Sequence, residues 1–331
     1  MSDIVSGDAE LAARLNGHVR HRAPAAVALV TPGATTLAAR SAAPHSDFEI
    51  GSISKAITGL LYRDALTRGE ITRDATLGDH LQLGECAAAA VTLESLSTHR
   101  SGLPGLPPSF HVAKRTVALW RHGTNPYGDS LEELLVMTRD VRVGPPRAHY
   151  SNLGFMLLGH AIASAAGTTY GDLVRDRIVM PLDLRDTYTP ASADQVRSDA
   201  VEGSSKSWIR REPWTGEALG PAGGIRSSIA DMARLTAAIL DGSAPGIDAL
   251  EPTTVFGPRV GIGAAWITIE MKGRPITWHN GGTGGFRSWI GIDRAAGTGA
   301  VVLSATTSAV DRAGFAFLTS PGLNPSRPSR K

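Results

Sequence analysis

Ser52, Ile53, Ser54 and Lys55 spell S-x-x-K at the head of an apolar run, Ala56-Ile57-Thr58-Gly59-Leu60-Leu61. If Gly51 ends a strand or loop and Ser52 opens a helix, positions 52 and 55 share one face, a turn apart. The serine then stands where backbone N–H groups are unpaired and the helix dipole favours developing negative charge. A lysine desolvated there has a depressed pKa, because burial disfavours its charged form. It can take or relay the hydroxyl proton; an arginine, charged at any accessible pH, cannot. The chain carries 28 arginines and only five lysines, at 55, 114, 206, 272 and 331, and no other lysine follows a serine by three. The same pattern also describes a plain N-cap serine beside a packed lysine stem, so the motif alone leaves both readings open.

Two further constellations carry chemistry-bearing residues. Tyr150-Ser151-Asn152 follows two prolines and opens an apolar helical run that Gly167 closes. Taken alone, it is a packing tyrosine at a loop-to-helix junction. Trp278-His279-Asn280-Gly281-Gly282-Thr283-Gly284-Gly285-Phe286 ends a strand pattern. Taken alone, it is a glycine-rich hairpin with an incidental histidine. It has neither the G-x-G-x-x-G spacing before a helix nor the GK[ST] ending of a phosphate loop. No H-E-x-x-H or C-x-x-C spacing occurs, so neither a metal site nor a cofactor is expected.

The surrounding elements follow from the hydrophobic pattern. Residues 8 to 21 predict an amphipathic helix, and AAVALVT (25 to 31) and TTLAAR (35 to 40) predict strands joined at Pro32-Gly33. Helical patterns dominate from 52 to about 254, broken by loops at 102 to 108 and 144 to 147. Strand patterns return in VGIGAAWITIEM (260 to 271), PITWHNGG (275 to 282), GFRSWIGID (285 to 293) and GAVVLSAT (299 to 306), before a helix near 307 to 318. Strands at both ends with helices between predict an α+β fold, one sheet built from both chain ends. Residues 1–51 plus 255–331 would form the sheet-and-helix region, and 52–254 an inserted, mostly helical one.

At 331 residues the chain exceeds the usual single core, and 42% apolar with 19% charged residues describes an ordinary folded protein. The formal net charge is +2 and the basic residues are scattered, so no nucleic-acid footprint is present. The acidic start, MSDIVSGDAELAARLNGHVRHR, is not a secretory signal, and no apolar stretch is long enough to span a membrane. These features set the expectation of a cytoplasmic protein. Cys86 has no second cysteine to pair with, and ECAAAA reads as a helix interior where its thiol packs. The closing SRPSRK reads as a frayed basic tail.

In this order, S-x-x-K, Y-x-N and His-Asn-Gly resemble the serine β-lactamase and penicillin-binding-protein-like family, in particular its class C β-lactamase, D,D-peptidase and family VIII esterase branch. The likeness extends through LSTHRSGLPGL (96 to 106), the stretch 145 to 187, and GPAGGIRSSIADMARL (220 to 235). It implies the β-lactamase/transpeptidase-like fold: an antiparallel sheet flanked by helices, with the site in the cleft against the inserted region. It also implies roles. Ser52 would be the nucleophile of an acyl-enzyme. Lys55 and Tyr150 would share the acid and base work, with the order between them open. The N–H groups of Ser52 and Gly282 would form the oxyanion hole. Asn152 would orient Lys55 and the substrate, and His279, Asn280 and Gly281 would line the substrate site. His279 and Asn280 replace the family's usual lysine and small hydroxyl residue. A neutral His279 would still donate a hydrogen bond to Tyr150 or an acyl oxygen.

Other residues have their own readings. Arg287 could meet a substrate carboxylate. His99 reads as loop packing, Ala222-Gly223-Gly224 and Asp231 as a turn and helix cap, and Trp278 as either acyl pocket or core. The expected partner is a small acyl compound, and the sequence does not fix the oligomeric state. Hydrolysis of a cytoplasmic ester or amide is the leading reading. A β-lactamase or D,D-peptidase, an acyltransferase with the same site, and a non-turnover acyl-binding receptor are the alternatives.

Overall fold

A computed structural model describes residues 5–19, 23–107, 115, 117–119 and 121–319; the SRPSRK ending lies outside them. The chain opens with strand β1 (Val5–Gly7), helix α1 (Ala9–His18), and strands β2 (Ala25–Thr31) and β3 (Ala34–Arg40). Asp8 caps α1 by accepting the Leu11 N–H at 2.7 Å. A short β4 (Phe48–Glu49) leads into helix α2 (Ile53–Thr67), then α3 (Leu77–His80), α4 (Leu93–Ser97), α5 (Leu131–Arg139), α6 (Asn152–Ala165) and α7 (Tyr170–Val174). Next come β5 (Arg226–Ser227) and α8 (Ile229–Asp241). Strands β6 (Thr254–Gly257), β7 (Val260–Ile262), β8 (Ile267–Met271), β9 (Arg274–Gly282), β10 (Arg287–Asp293) and β11 (Thr298–Ser304) precede helix α9 (Asp311–Leu318).

Among the described residues, nine strands form one antiparallel sheet in the order β1-β3-β2-β11-β10-β9-β8-β7-β6, so the N-terminal and C-terminal strands meet where β2 pairs with β11. Successive side chains alternate between the faces. Ala26, Ala28, Val30, Val301 and Leu303 face one core with α2 and α8, while Val27, Leu29, Ala300 and Val302 face a second with α1 and α9. Each buried Val or Leu contributes about 1.5–3 kcal/mol. Helix α8 belongs by sequence to the inserted stretch but lies on β2 and β11. Among the described residues no helix is long and apolar enough to cross a membrane.

Two local expectations need correction. The run 260 to 271 splits into β7 and β8, because Ala265 takes φ +67° and turns the chain. Cys86 is not inside a helix. It is extended (φ −137°, ψ 161°) before a single tight turn, Ala87–Ala90, which ends where Val91 turns extended and its carbonyl accepts the Leu77 N–H at 2.9 Å.

Candidate active site

Strand β9 outruns β8. The register of β8 ends at Ile267 opposite Trp278, leaving residues 279 to 282 with one free edge. The chain entering α2 fills that gap. Ile50 accepts the Ser288 hydroxyl on its carbonyl at 2.7 Å, and a side chain at Gly281 would lie 2.0 Å from that carbonyl oxygen. Gly51 takes φ +52°, and a Cβ there would lie 2.6 Å from the Gly282 nitrogen. Only glycine permits both the turn and the contact. Behind it, fully buried Arg226 donates to Asp47 Oδ1 at 2.8 Å and Glu49 Oε1 at 3.1 Å, tying β5 to β4. Glu49 also accepts the Trp214 N–H at 3.0 Å. Losing one partner of such a buried set costs about 3–5 kcal/mol, so the approach to Ser52 is firmly held.

Ser52 opens α2 in helical geometry (φ −64°, ψ −6°), and its side chain makes no capping bond. The hydroxyl instead accepts from Lys55 Nζ at 3.2 Å. Lys55 is 0% exposed, and its other partner is the Ala222 carbonyl at 2.5 Å. The turn 220 to 225 is stitched along α2: Ile225 N–H donates to Ser54 Oγ at 3.1 Å, and Thr58 Oγ1 donates to the Pro221 carbonyl at 2.8 Å. Neither partner of the amine is a carboxylate, so nothing offsets desolvation. Burial lowers the amine from 10.5 to about 7. At neutral pH a large share of Lys55 is free base, one hydrogen bond from the serine.

Tyr150 joins this pair from the loop before α6. Its hydroxyl lies beside Ser52, and Lys55 Nζ lies 4.9 Å from its ring centroid. The residue keeps 38% of its surface exposed, yet crowding by protein raises the phenol to about 12. Whether the ordinary value or the raised one holds, the phenol is protonated at neutral pH. Ser151 caps α6 through the Gly154 N–H at 2.9 Å. Asn152 was expected to orient Lys55, but the hydrogen-bond partners of Nζ are Ser52 and the Ala222 carbonyl, and Asn152 lies beside Tyr127.

His279 is 1% exposed, and burial together with nearby Lys55 lowers it to about 4. Its Nδ1 lies 2.6 Å from the Asn280 carbonyl. A carbonyl only accepts, so Nδ1 carries the hydrogen and Nε2 is a bare acceptor without a protein partner among the described residues. His279 is therefore neutral, as expected, but has no hydrogen to offer Tyr150 or an acyl oxygen. Asn280, read as substrate-binding, needs correction. Alternation along β9 turns it to the opposite face, where its amide donates to Asp311 Oδ1 of α9 at 2.5 Å. Trp278 shares that face and stacks on Trp289 at 6.5 Å, which makes it core. Arg287, read as a carboxylate contact, pairs opposite Gly282 and folds over it. Its guanidinium donates to the Thr283 and Phe286 carbonyls at 3.0 and 2.9 Å. Thr283 N–H donates to the Phe286 carbonyl at 3.1 Å, so the ladder's alternation turns the Gly282 N–H away from β10, toward Gly51.

The Beta-lactamase family model matches residues 8–318. The chain belongs to the Beta-lactamase family. It is 30% identical over 279 residues to the D-alanyl-D-alanine-carboxypeptidase/endopeptidase AmpH of Escherichia coli (strain K12), covering 77% of this chain and 69% of the relative. A D-stereospecific amidohydrolase from Streptomyces sp. superposes with a TM-score of 0.77 at 21% identity, covering 93% of this chain and 97% of that one. A class C β-lactamase from Rhodobacter sphaeroides gives 0.72 at 22% identity, covering 86% and 90%. The sheet, its flanking helices and the order of elements are those of the β-lactamase/transpeptidase-like fold.

Within this β-lactamase-type frame, an apolar cavity of about 100 Å³ is lined by Leu106, Tyr127, Leu134, Met156, Trp214 and Leu219. Tyr127 links it to Asn152, and Trp214 Nε1 would lie 2.9 Å from a Cβ at Gly284. A larger cavity of about 1310 Å³ lies elsewhere, beside α5, α6 and α7, and no candidate site residue lines it. Residue-by-residue reading missed the Asp47–Glu49–Arg226 cluster, and it read His99, whose ring lies 4.4 Å from that of Tyr150, as loop packing. The cluster has no local signal. His99 had one, since its neighbours belong to a stretch that resembles the family. Asp231 is no cap: Ser228 caps α8, and Asp231 Oδ2 accepts the Asp186 N–H at 2.7 Å.

Proposed function

We propose that the protein is a serine hydrolase that forms an acyl-enzyme on Ser52 and acts on uncharged esters or amides with an apolar acyl group. The observation that carries the reading is the fully buried Lys55 amine, lowered to about 7 and bonded to a serine hydroxyl that caps nothing. Lys55 as free base takes the Ser52 proton while Oγ attacks the acyl carbonyl. The Ser52 and Gly282 N–H groups face the oxygen on which charge develops. Tyr150, protonated and beside Ser52, donates to the leaving group as the tetrahedral intermediate collapses, and Lys55 restores its proton. Water then enters by the reverse path, with the same groups as base and acid, and releases the acid.

The preference for uncharged substrates rests on His279. It carries no charge, and its hydrogen is committed to Asn280, so it cannot hold a carboxylate as a lysine there would. The apolar cavity beside Asn152 suits an apolar acyl group. A cytoplasmic setting remains part of the proposal, tested by cell fractionation. The expected result is a kcat/KM for a neutral short-chain ester at least about tenfold above that for benzylpenicillin at pH 7.5, roughly 1.4 kcal/mol in barrier. Efficient cephalosporin turnover with little ester hydrolysis would overturn it. The likeness to a D-alanyl-D-alanine-carboxypeptidase/endopeptidase supports a second reading, cleavage of a peptide amide by the same acyl-enzyme.

A further inference from the structure

His99 holds the segment around Tyr150 at three points. Its backbone carbonyl accepts the His149 N–H at 2.9 Å. Its Nδ1 accepts the Ser151 N–H at 3.2 Å. Its ring lies 4.4 Å from the Tyr150 ring, with the planes 33° apart. The residues on either side of the tyrosine are thus fastened to one histidine, and the phenol rests on its imidazole. His99 is 2% exposed and adopts φ +56°, a left-handed conformation uncommon outside glycine. Phe155 holds the imidazole from the α6 side, with ring centroids 4.7 Å apart.

We propose that His99 is a positioning residue: its unprotonated Nδ1, offered to the Ser151 N–H, fixes the Tyr150 hydroxyl beside Ser52. The proposal rests on the reading of Ser52 as the acylated residue with Tyr150 as its acid. Loop packing, the plainer role for this residue, makes the opposite demand. Packing needs the ring's volume, whereas the clamp needs an acceptor at the Nδ1 position. Burial keeps the imidazole well below its usual pKa, so the acceptor persists through the neutral range.

Three substitutions separate the roles. Asparagine puts an amide oxygen near the Nδ1 position and tolerates the left-handed backbone, but lacks the ring. Phenylalanine keeps ring and volume, tolerates the left-handed backbone less well than histidine, and leaves the buried Ser151 N–H without a partner. Glycine removes both acceptor and ring without backbone strain. Folding is checked by circular dichroism, and kcat and KM are measured with 4-nitrophenyl butyrate.

The clamp predicts a kcat within about fivefold of wild type for His99→Asn, and a loss of about a hundredfold or more for His99→Phe with KM little changed. In a Tyr150→Phe background, His99→Phe should add less than about threefold. A His99→Phe protein as active as wild type, or one that loses the same factor in the Tyr150→Phe background, overturns the clamp. If the Phe protein does not fold, Asn and Gly decide: equal kcat values overturn the clamp, and a clear advantage for Asn supports it. Fluorophosphonate labelling of the wild type separates the two layers. No label on Ser52 overturns the acyl-enzyme reading and the clamp with it, while label on Ser52 with an unaffected Phe variant overturns the clamp alone.

Discussion

Replacing Lys55 with methionine should stabilise the fold at neutral pH while abolishing turnover. The amine is fully buried against a hydroxyl and a carbonyl, and burial moves it from 10.5 to about 7. A displacement of that size corresponds to on the order of 4–5 kcal/mol against folding. The unfolded lysine stays protonated to about pH 10, whereas the folded one loses its proton near 7, so folding expels a proton between those values. The cost is therefore full below about pH 7, shrinks as pH rises, and is gone above about 10.5. Methionine matches the stem but leaves the Ala222 carbonyl without its donor, which costs about 1–3 kcal/mol. The net gain should be about 1–4 kcal/mol at or below pH 7 and should shrink and reverse toward pH 10, where the lysine's cost fades while the loss at the Ala222 carbonyl remains. Urea unfolding of both proteins at several values between pH 6.5 and 9.5, with ester turnover alongside, measures it. A stability difference that does not change with pH, or a methionine variant less stable at pH 6.5, would refute the account of a desolvated amine.

Lys55→Arg should lose about a hundredfold or more in kcat, nearly as much as Lys55→Ala, because the role needs a group that can lose its proton. Retained activity in steady-state assays would reduce Lys55 to a charge or a packing stem. In the wild type, kcat/KM should rise with pH through about 7 as Lys55 becomes free base, and this limb should be absent from the residual activity of Lys55→Ala. A pH profile flat from 6 to 8 would point to a different base. Gly51→Ala should cost both melting temperature and kcat, since the new Cβ would lie 2.6 Å from the Gly282 nitrogen; an unchanged variant would show that the turn does not set the oxyanion geometry.

What the sequence revealed was local or periodic. Ser52 and Lys55 lie three apart on one helix, so a motif of four residues carries their geometry. The strands at both chain ends show as alternating apolar runs, and nearly every one reappears within a residue or two. The split at Ala265 was hidden because a left-handed alanine leaves no mark that its type predicts. Asn280 was misplaced for a reason the sequence did contain. With His279 facing α2, strand alternation sends Asn280 to α9. Arg226 meets Asp47 and Glu49 across the whole run of helices α2 to α7, so no spacing announces the cluster. His99 differs from the cluster, since its neighbours carry the family resemblance, but its contacts with Tyr150 and Ser151, far along the chain, leave no local spacing.

The central claim is that covalent chemistry passes through Ser52, and one measurement tests it most directly. The protein is treated with a fluorophosphonate, its intact mass is taken, and the modified peptide is sequenced. The account predicts a single adduct on the peptide carrying Ser52, and neither adduct nor turnover in Ser52→Ala. A label on another serine, with Ser52→Ala still active, would contradict it.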